Sequence, residues 1–329
     1  MKICHFIASS LFGGAERVVI NLCNEMSKAH EVHFITFDSR ENLEDLLSNV
    51  TVHTLKEFKR YNIFALVELA KLINKIDPDI VNAHGAKATR IIYNIRNRID
   101  VPFVGTKHNA RRGKIFNKIN YVVTVSEDAK KSVIHGHVKV IHNGIRPVQV
   151  DAKTENEVFT LLAVGRLDKI KGFDILIQEC SKLTFPYLLQ IVGDGEERAS
   201  LLALVKSLRL EEKVKLLGFR DTVSQLMHSA DAVVMSSHSE GFSLVMVESL
   251  FYANLFISTK VSGATEILDD EFLINDFRIA DKLNEIYQNQ EKYKKDFSQL
   301  RDKIKDQFLL DNIAQEYVAY YQEILKENK

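Results

Sequence analysis

Cysteine, long apolar runs and a surplus of either charge are scarce or missing in this 329-residue chain. The three cysteines, Cys4, Cys23 and Cys180, are odd in number and stand at no metal-ligand spacing, which fits a reducing compartment and excludes a disulfide framework. Cys4 and Cys23 fall in apolar runs and read as core residues. No stretch reaches about eighteen apolar residues, so no helix is expected to span a membrane. The opening KICHFIASSLFGG is short and breaks at glycines, so no secretory leader is expected either. Lys+Arg and Asp+Glu are equal at 44 each, and no nucleic-acid motif accompanies them.

Several chemical signatures are absent too. There is no G-x-G-x-x-G, which disfavours a nicotinamide cofactor, and no Ser–His–Asp or Cys–His arrangement. No Asp-x-Asp closes a strand to hold a divalent cation. His135, His137 and His142 crowd together without carboxylate or thiol partners, so no metal site is expected there. These absences leave a cytoplasmic protein, peripheral at most on the inner face of a membrane. The charge balance hides an asymmetry. Residues 1–150 hold 22 Lys+Arg against 14 Asp+Glu, leaving 22 and 30 for the rest. A basic first half asks for an anionic partner, such as a lipid surface or phosphorylated acceptor.

What is present is a repeated alternation of short apolar runs with longer amphipathic ones. Strands are predicted at 2–8, 31–37, 79–84, 101–108, 121–126 and 139–145, with helices including 13–29 and 62–77, the latter ending before Pro78. The aperiodic stretch 146–157 reads as a linker. The alternation then restarts, with strands at 159–165, 187–193, 213–219 and 230–237 and helices at 171–183 and 195–210. Residues 277–329 read as helical and charged. This is α/β architecture: two Rossmann-like domains, 1–150 and 151–329, with parallel sheets and ligands at the strands' carboxyl ends. The C-terminal helix is expected to cross back to the first domain.

The run SHSEGFSLVMVESLFYANL is the most informative. Gly241 permits a tight turn, and Ser243 is a candidate cap for a helix whose first N–H groups suit a diphosphate. Glu248 would lie about 7.5 Å along that helix, placed for ribose hydroxyls. Glu240, before the helix, would meet whatever hangs beyond the diphosphate. Exposed glutamates at a helix start are the ordinary alternative. In GRLDKIKGFD, Arg166 ends a strand and Lys171 opens a helix, two cations for the same diphosphate or two solvated side chains. VGDGEE places Gly193 in a turn that either simply bends or admits a ligand closely. In LLGFRDTV, Phe219 and Arg220 either flank a nucleobase or form a turn over a buried ring. His84 ends the strand DIVNAH and reads as a ligand contact or a structural histidine. Between Lys87 and Lys118 lie nine basic residues and a single acidic one, Asp100. Of these, Arg111, Arg112 and Lys114 are the candidate acceptor or membrane surface.

The ordered set FGGAER, DIVNAH, TKHN, VSE, IHNGI, GRLDKIKG, VGDGEE, LGFRD, EGFSLVMVE and SGATEIL resembles the retaining glycosyltransferases of family 4, also called group 1. The resemblance implies a GT-B fold, two Rossmann-like domains facing each other across a cleft, and a nucleotide-sugar donor held mainly by the second domain. It implies no metal and no cofactor. By position, Arg166 and Lys171 resemble the diphosphate pair, Glu248 the ribose carboxylate and Glu240 the residue contacting the donor sugar. The N–H groups near Ser243, Leu244 and Val245 would face the phosphates. Gly14 resembles the glycine closing on the donor, and His84 the histidine touching the transferred sugar. Arg146 after the NG-I run and Asn82 in place of a common histidine depart from the family pattern.

The expected activity is transfer of a sugar from a UDP-linked donor to a glycan or lipid-linked saccharide in surface polysaccharide or lipopolysaccharide assembly. The alternatives are a nucleotide-sugar epimerase of the same architecture and a non-catalytic nucleotide-sugar-binding partner.

Overall fold

A computed structural model describes residues 1–9, 13–37, 43, 45–111, 113–134, 136–152 and 156–328. The chain divides into two units, residues 1–145 with 308–329, and residues 146–307. The break therefore falls at Ile145/Arg146 rather than 150/151, and the last helix belongs to the first unit.

Unit 1 is built on strands β1 (Lys2–Ile7), β2 (Glu31–Phe37), β3 (Val50–Leu55), β4 (Ile80–His84), β5 (Phe103–Lys107), β6 (Tyr121–Thr124) and β7 (Val138–Val140). They form a parallel sheet in the order β3-β2-β1-β4-β5-β6-β7. The expected strand 139–145 shrinks to three residues, and β3 was not anticipated, because its half-exposed edge carries no continuous apolar run.

Helices α1 (Gly14–Met26), α2 (Ile63–Ile76), α3 (Gly85–Ile95) and α4 (Glu127–Lys131) are the crossovers. Asn62 starts α2 by accepting from the Ala65 N–H, and Asp77, left-handed at φ 52°, ends it before Pro78. One core cluster is wholly apolar: Cys4, Phe6, Ile35 and Phe37 pack with Leu69 and Ile73 of α2 and Ile91 of α3. Alternation along β1 and β4 sends His5, Asn82 and His84 to the opposite face.

Unit 2 holds β8 (Phe159–Val164), β9 (Tyr187–Val192), β10 (Val214–Gly218), β11 (Ala232–Met235), β12 (Phe256–Thr259) and β13 (Leu273–Ile274), again parallel, in the order β10-β9-β8-β11-β12-β13. Its helices are α5 (Phe173–Cys180), α6 (Arg198–Ser207), α7 (Val223–Ser229), α8 (Leu244–Tyr252), α9 (Ala264–Ile267), α10 (Ile279–Gln288) and α11 (Gln290–Ile304). The chain moves outward from β8 to β10, then returns to β11 on β8's other side. That reversal is a topological switch point, where open α/β sheets bind ligands.

Helix α12 (Leu310–Glu327) completes unit 1 by packing on α1. Gly144 makes its approach possible, since a Cβ there would lie 2.9 Å from the Phe308 carbonyl oxygen. Tyr317 and Tyr321 are buried on the polar face of the sheet. The Asn82 amide donates to the Tyr321 hydroxyl at 2.6 Å, and Thr106 donates to the Asn82 carbonyl at 2.8 Å. Asn82 is thus satisfied inside the core, which accounts for an amide in mid-strand.

Candidate active site

The switch point of the second sheet is closed by its own loops. After β8 the chain makes a 3-10 turn, and Gly172 follows at φ 62°. A Cβ on Gly172 would sit 2.4 Å from the Ser236 carbonyl oxygen. The loop after β11 is bound to this turn: the His238 N–H donates to the Ile170 carbonyl at 2.7 Å and the Ser236 hydroxyl to the Lys171 carbonyl at 2.8 Å. Lys171 Nζ meets Glu240 Oε1 at 2.6 Å, and Ser237 donates to the same oxygen at 2.6 Å. The Lys171 and Glu240 side chains are only 20% and 12% exposed. Lys171 lies in the 3-10 turn rather than opening α5, because Asp168 accepts its N–H and that of Ile170.

Asp168 also binds Arg166, through Nε at 2.8 Å and a terminal nitrogen at 2.7 Å. Each of the two expected diphosphate cations therefore carries a carboxylate partner. Lysine has three N–H donors and arginine five, so both keep donors to spare.

Glycines join the neighbouring strand ends. Gly165 N–H donates to the Val192 carbonyl and Gly193 N–H to the Gly218 carbonyl, both at 3.0 Å. Gly193, at φ 135°, would bring a Cβ to 1.9 Å from the Gly165 carbonyl oxygen. Glycine is required there by the adjacent loop. Past β10, Phe219 is 66% exposed, so the alternative of a turn over a buried ring does not hold, and Arg220 donates to its neighbour's carbonyl.

Helix α8 starts at Leu244 as expected. Ser243 occupies the cap position, but its side chain makes no capping bond. The first-turn N–H groups have no acceptor within the helix. Leu244, Val245 and Glu248 are the half-buried positions in its first two turns, between buried Met246, Val247 and Ser249. Gly263 of SGATEIL, at φ 80°, packs onto this segment: its Cβ would meet Phe242 at 2.9 Å. Sequence reasoning missed Phe277, whose ring lies 4.7 Å from that of His238. Two successive left-handed residues, Asp276 at φ 48° and Phe277 at φ 56°, place it there.

Unit 1 ends its central strands differently. His84 is 2% exposed, and both its ring nitrogens are engaged, Nε2 with His5 at 2.9 Å and Nδ1 with His108 at 3.2 Å. No nitrogen is left for a sugar, so the contact expected of His84 does not fit its surroundings. His108 is the half-buried member of this file. Burial pushes His5 and His108 down to about 4 and His84 well below the usual imidazole range, with the neighbouring histidines adding to the shift of His84.

Residues 12–149 match the family model described as Glycosyltransferase Family 4, and residues 148–301 the one described as Glycosyl transferases group 1. The chain belongs to the family 4, group 1 glycosyltransferases. An N-acetyl-alpha-D-glucosaminyl L-malate synthase of Bacillus anthracis is 23% identical over 96% of each chain. An N-acetylgalactosamine-N,N'-diacetylbacillosaminyl-diphospho-undecaprenol 4-alpha-N-acetylgalactosaminyltransferase of Campylobacter jejuni is 28% identical over 82% of this chain and 84% of its own. The crystal structure of Anabaena HepE in complex with UDP and glucose aligns with a TM-score of 0.86 at 20% identity, over 98% of this chain and 100% of that one. The fold is GT-B.

In this glycosyltransferase the basic cluster of the first unit is partly dispersed. Lys107 is 2% exposed and donates to the Asn109 carbonyl, and burial pushes its amine down to about 8. Lys87 is paired with Glu57 at 2.8 Å. Arg111 and Lys114 are exposed, and Arg112 lies outside the described residues. A groove of about 1040 Å³ gathers Lys59, Arg60, Lys87, Arg90 and Lys114 instead. Tyr61 of its lining, and Ile63 and Phe64 just after it in the chain, are 68%, 69% and 86% exposed. The run KRYNIF could have signalled this, since a basic pair before adjacent large apolar residues is unusual on a surface. Gly14 opens α1 with none of the described residues within 4 Å of its Cβ position, and Arg17 is paired with Asp45 at 2.6 Å. His142 bonds the Val125 carbonyl and His137 lies against Tyr121, so these two face different partners; His135 lies outside the described residues. Among the described residues no group of three or more His, Cys, Asp or Glu is placed to hold a metal ion, and no helix is long and apolar enough to cross a membrane.

Proposed function

We propose that the enzyme is a retaining, metal-independent glycosyltransferase that moves a sugar from a UDP-linked donor to a lipid-linked saccharide in surface-glycan assembly. The observation that carries the donor side is the Lys171–Glu240 pair spanning the β8/β11 switch point, joined to an α8 start that the Ser243 side chain does not cap. The diphosphate sits on the N–H groups at Ser243, Leu244 and Val245, with the remaining donors of Arg166 and Lys171 on its oxygens. Glu248 takes the ribose hydroxyls, Glu240 the donor sugar, and Phe219 and Arg220 flank the base. Gly193 serves by keeping the strand ends packed. As the bond from the anomeric carbon to the diphosphate breaks, these donors stabilise the negative charge of the leaving group. The acceptor hydroxyl attacks from the same face and passes its proton to a diphosphate oxygen, which retains configuration.

The basic groove suits the phosphates of a lipid-linked acceptor, and exposed Tyr61, Ile63 and Phe64 suit peripheral contact with an anionic membrane surface. Lys114 lines the same groove, and Arg111 is exposed three residues before it. The uridine nucleotide in the HepE complex and the diphospho-undecaprenol acceptor named for the Campylobacter relative support this reading. Cytoplasmic placement on the inner face of the membrane goes with it.

Thermal-shift measurements with UDP-, GDP- and ADP-sugars test the donor. A UDP-sugar should raise the melting temperature, and Lys171→Met or Glu248→Ala should weaken its binding at least about tenfold, the loss of one charge-assisted hydrogen bond. Unchanged affinity in both folded variants would sink the donor assignment. Incubation with donor alone separates the rivals: conversion of the donor sugar marks an epimerase, and binding without turnover across lipid-linked acceptors and L-malate marks a non-catalytic binder.

A further inference from the structure

His5, His84 and His108 form one hydrogen-bonded file on the polar face of the first sheet, with ring centroids 5.2 and 5.4 Å apart. At its inner end, His5 Nε2 lies 3.4 Å from the sulfur of Met26 at the end of α1. A thioether accepts hydrogen bonds and has no hydrogen to give. The proton of that contact is therefore on His5 Nε2, and His5 Nδ1 holds a lone pair. A neutral imidazole has one N–H and one lone pair. His84 Nε2 must then donate to His5, and His84 Nδ1 must accept from His108 Nε2. One polarity runs through the file and ends with a lone pair on His108 Nδ1. Among the described residues no second hydrogen bond reaches His108.

We infer that Met26 and His5 are positioning residues that fix the tautomers of this file, so that His108 presents a hydrogen-bond acceptor at the strand ends. The ligand group opposite it has to be a donor, a sugar hydroxyl rather than a phosphate or carboxylate oxygen. Reversing the file would turn the His5 lone pair onto the sulfur lone pairs inside the core, where an unmet acceptor is costly. The file is not a proton wire, because a proton entering at His108 would have to leave through a sulfur that is no base. The sugar hydroxyl rests on the proposed function; the tautomer order does not.

Nitrogen-15 NMR of labelled imidazoles, on the whole ligand-free chain at neutral pH, reads the tautomers directly. All three histidines should carry the proton on Nε2. Met26→Leu keeps volume and apolarity but removes the acceptor, so His84 and His108 should show mixed tautomers, and kcat/KM should fall about three- to tenfold with little change in melting temperature. Met26→Cys, whose thiol can donate, should give the same mixture if the leucine variant does not fold. A proton on Nδ1 of His108 in the unsubstituted protein, or an unchanged single tautomer in a folded variant, would overturn the inference. Absence of turnover with the tautomers intact would count against the glycosyltransferase reading alone.

Discussion

The two sheets end their central strands in opposite chemical styles. In unit 2 the mouth is made of ion pairs, Lys171 with Glu240 and Arg166 with Asp168, set among glycines that let carbonyls approach closely. In unit 1 it is made of neutral imidazoles backed by buried Asn82, Thr106 and Tyr321. Charge at the first mouth suits an anionic diphosphate. Neutral acceptors at the second suit uncharged hydroxyls. The same strand–helix alternation thus supports both halves of a transfer reaction, because the fold fixes where the strand ends lie and leaves their chemistry to a few loop residues.

Acid should break this contrast most strongly. His5 and His108 titrate at about 4 in the fold, against about 6.5 in an unfolded chain. Their folded values are depressed, so the stability from keeping them neutral is complete above pH 6.5 and is lost as the pH falls toward 4. Between pH 7 and pH 5 unit 1 should lose about 2 kcal/mol for each. Hydrogen exchange should then accelerate in β1, β4 and β5 before β8, β9 and β11. Equal acceleration in both sheets would remove the distinction.

Gly193→Ala should strike the charged mouth of unit 2 next. Its Cβ would collide with the Gly165 carbonyl at a φ that side chains avoid, costing about 3 kcal/mol in urea unfolding. Gly14→Ala, at the start of a helix with no described residue against its Cβ position, should cost nothing or stabilise slightly. If both behave alike, Gly193 is not a packing requirement. The smallest effect is expected from Tyr321→Phe, which leaves the Asn82 amide without its partner in the neutral core. About 1–2 kcal/mol should be lost in the same measurement, with donor affinity unchanged.

Much of this organisation is legible in the residues. Strands β1, β2, β4, β8 and β9 are mainly apolar runs, as parallel strands buried on both faces tend to be. The loops carrying Arg166, Lys171, Glu240 and Glu248 can be read because glycine and charge at a strand end are locally distinctive. The short strands β12 and β13 and the half-exposed β3 escaped, since four-residue runs and a mixed edge give no usable period. Phe277 escaped because nothing in NDF announces two left-handed residues in succession. His108 was overshadowed by His84, for the sequence does not say which of two strand-end histidines faces outward.

Local pattern, by itself, determined two α/β units, the polarity of their sheets and the loops that meet at the second switch point, because hydrophobic periodicity and turn chemistry act over a few residues. Partnership needed the folded chain. Lys171 finds Glu240 across 69 positions, Asn82 finds Tyr321 across 239, and Met26 sets the state of His5 across 21. Such contacts decide which side chain is satisfied, buried or presented, and they follow from packing between segments that no local spacing relates.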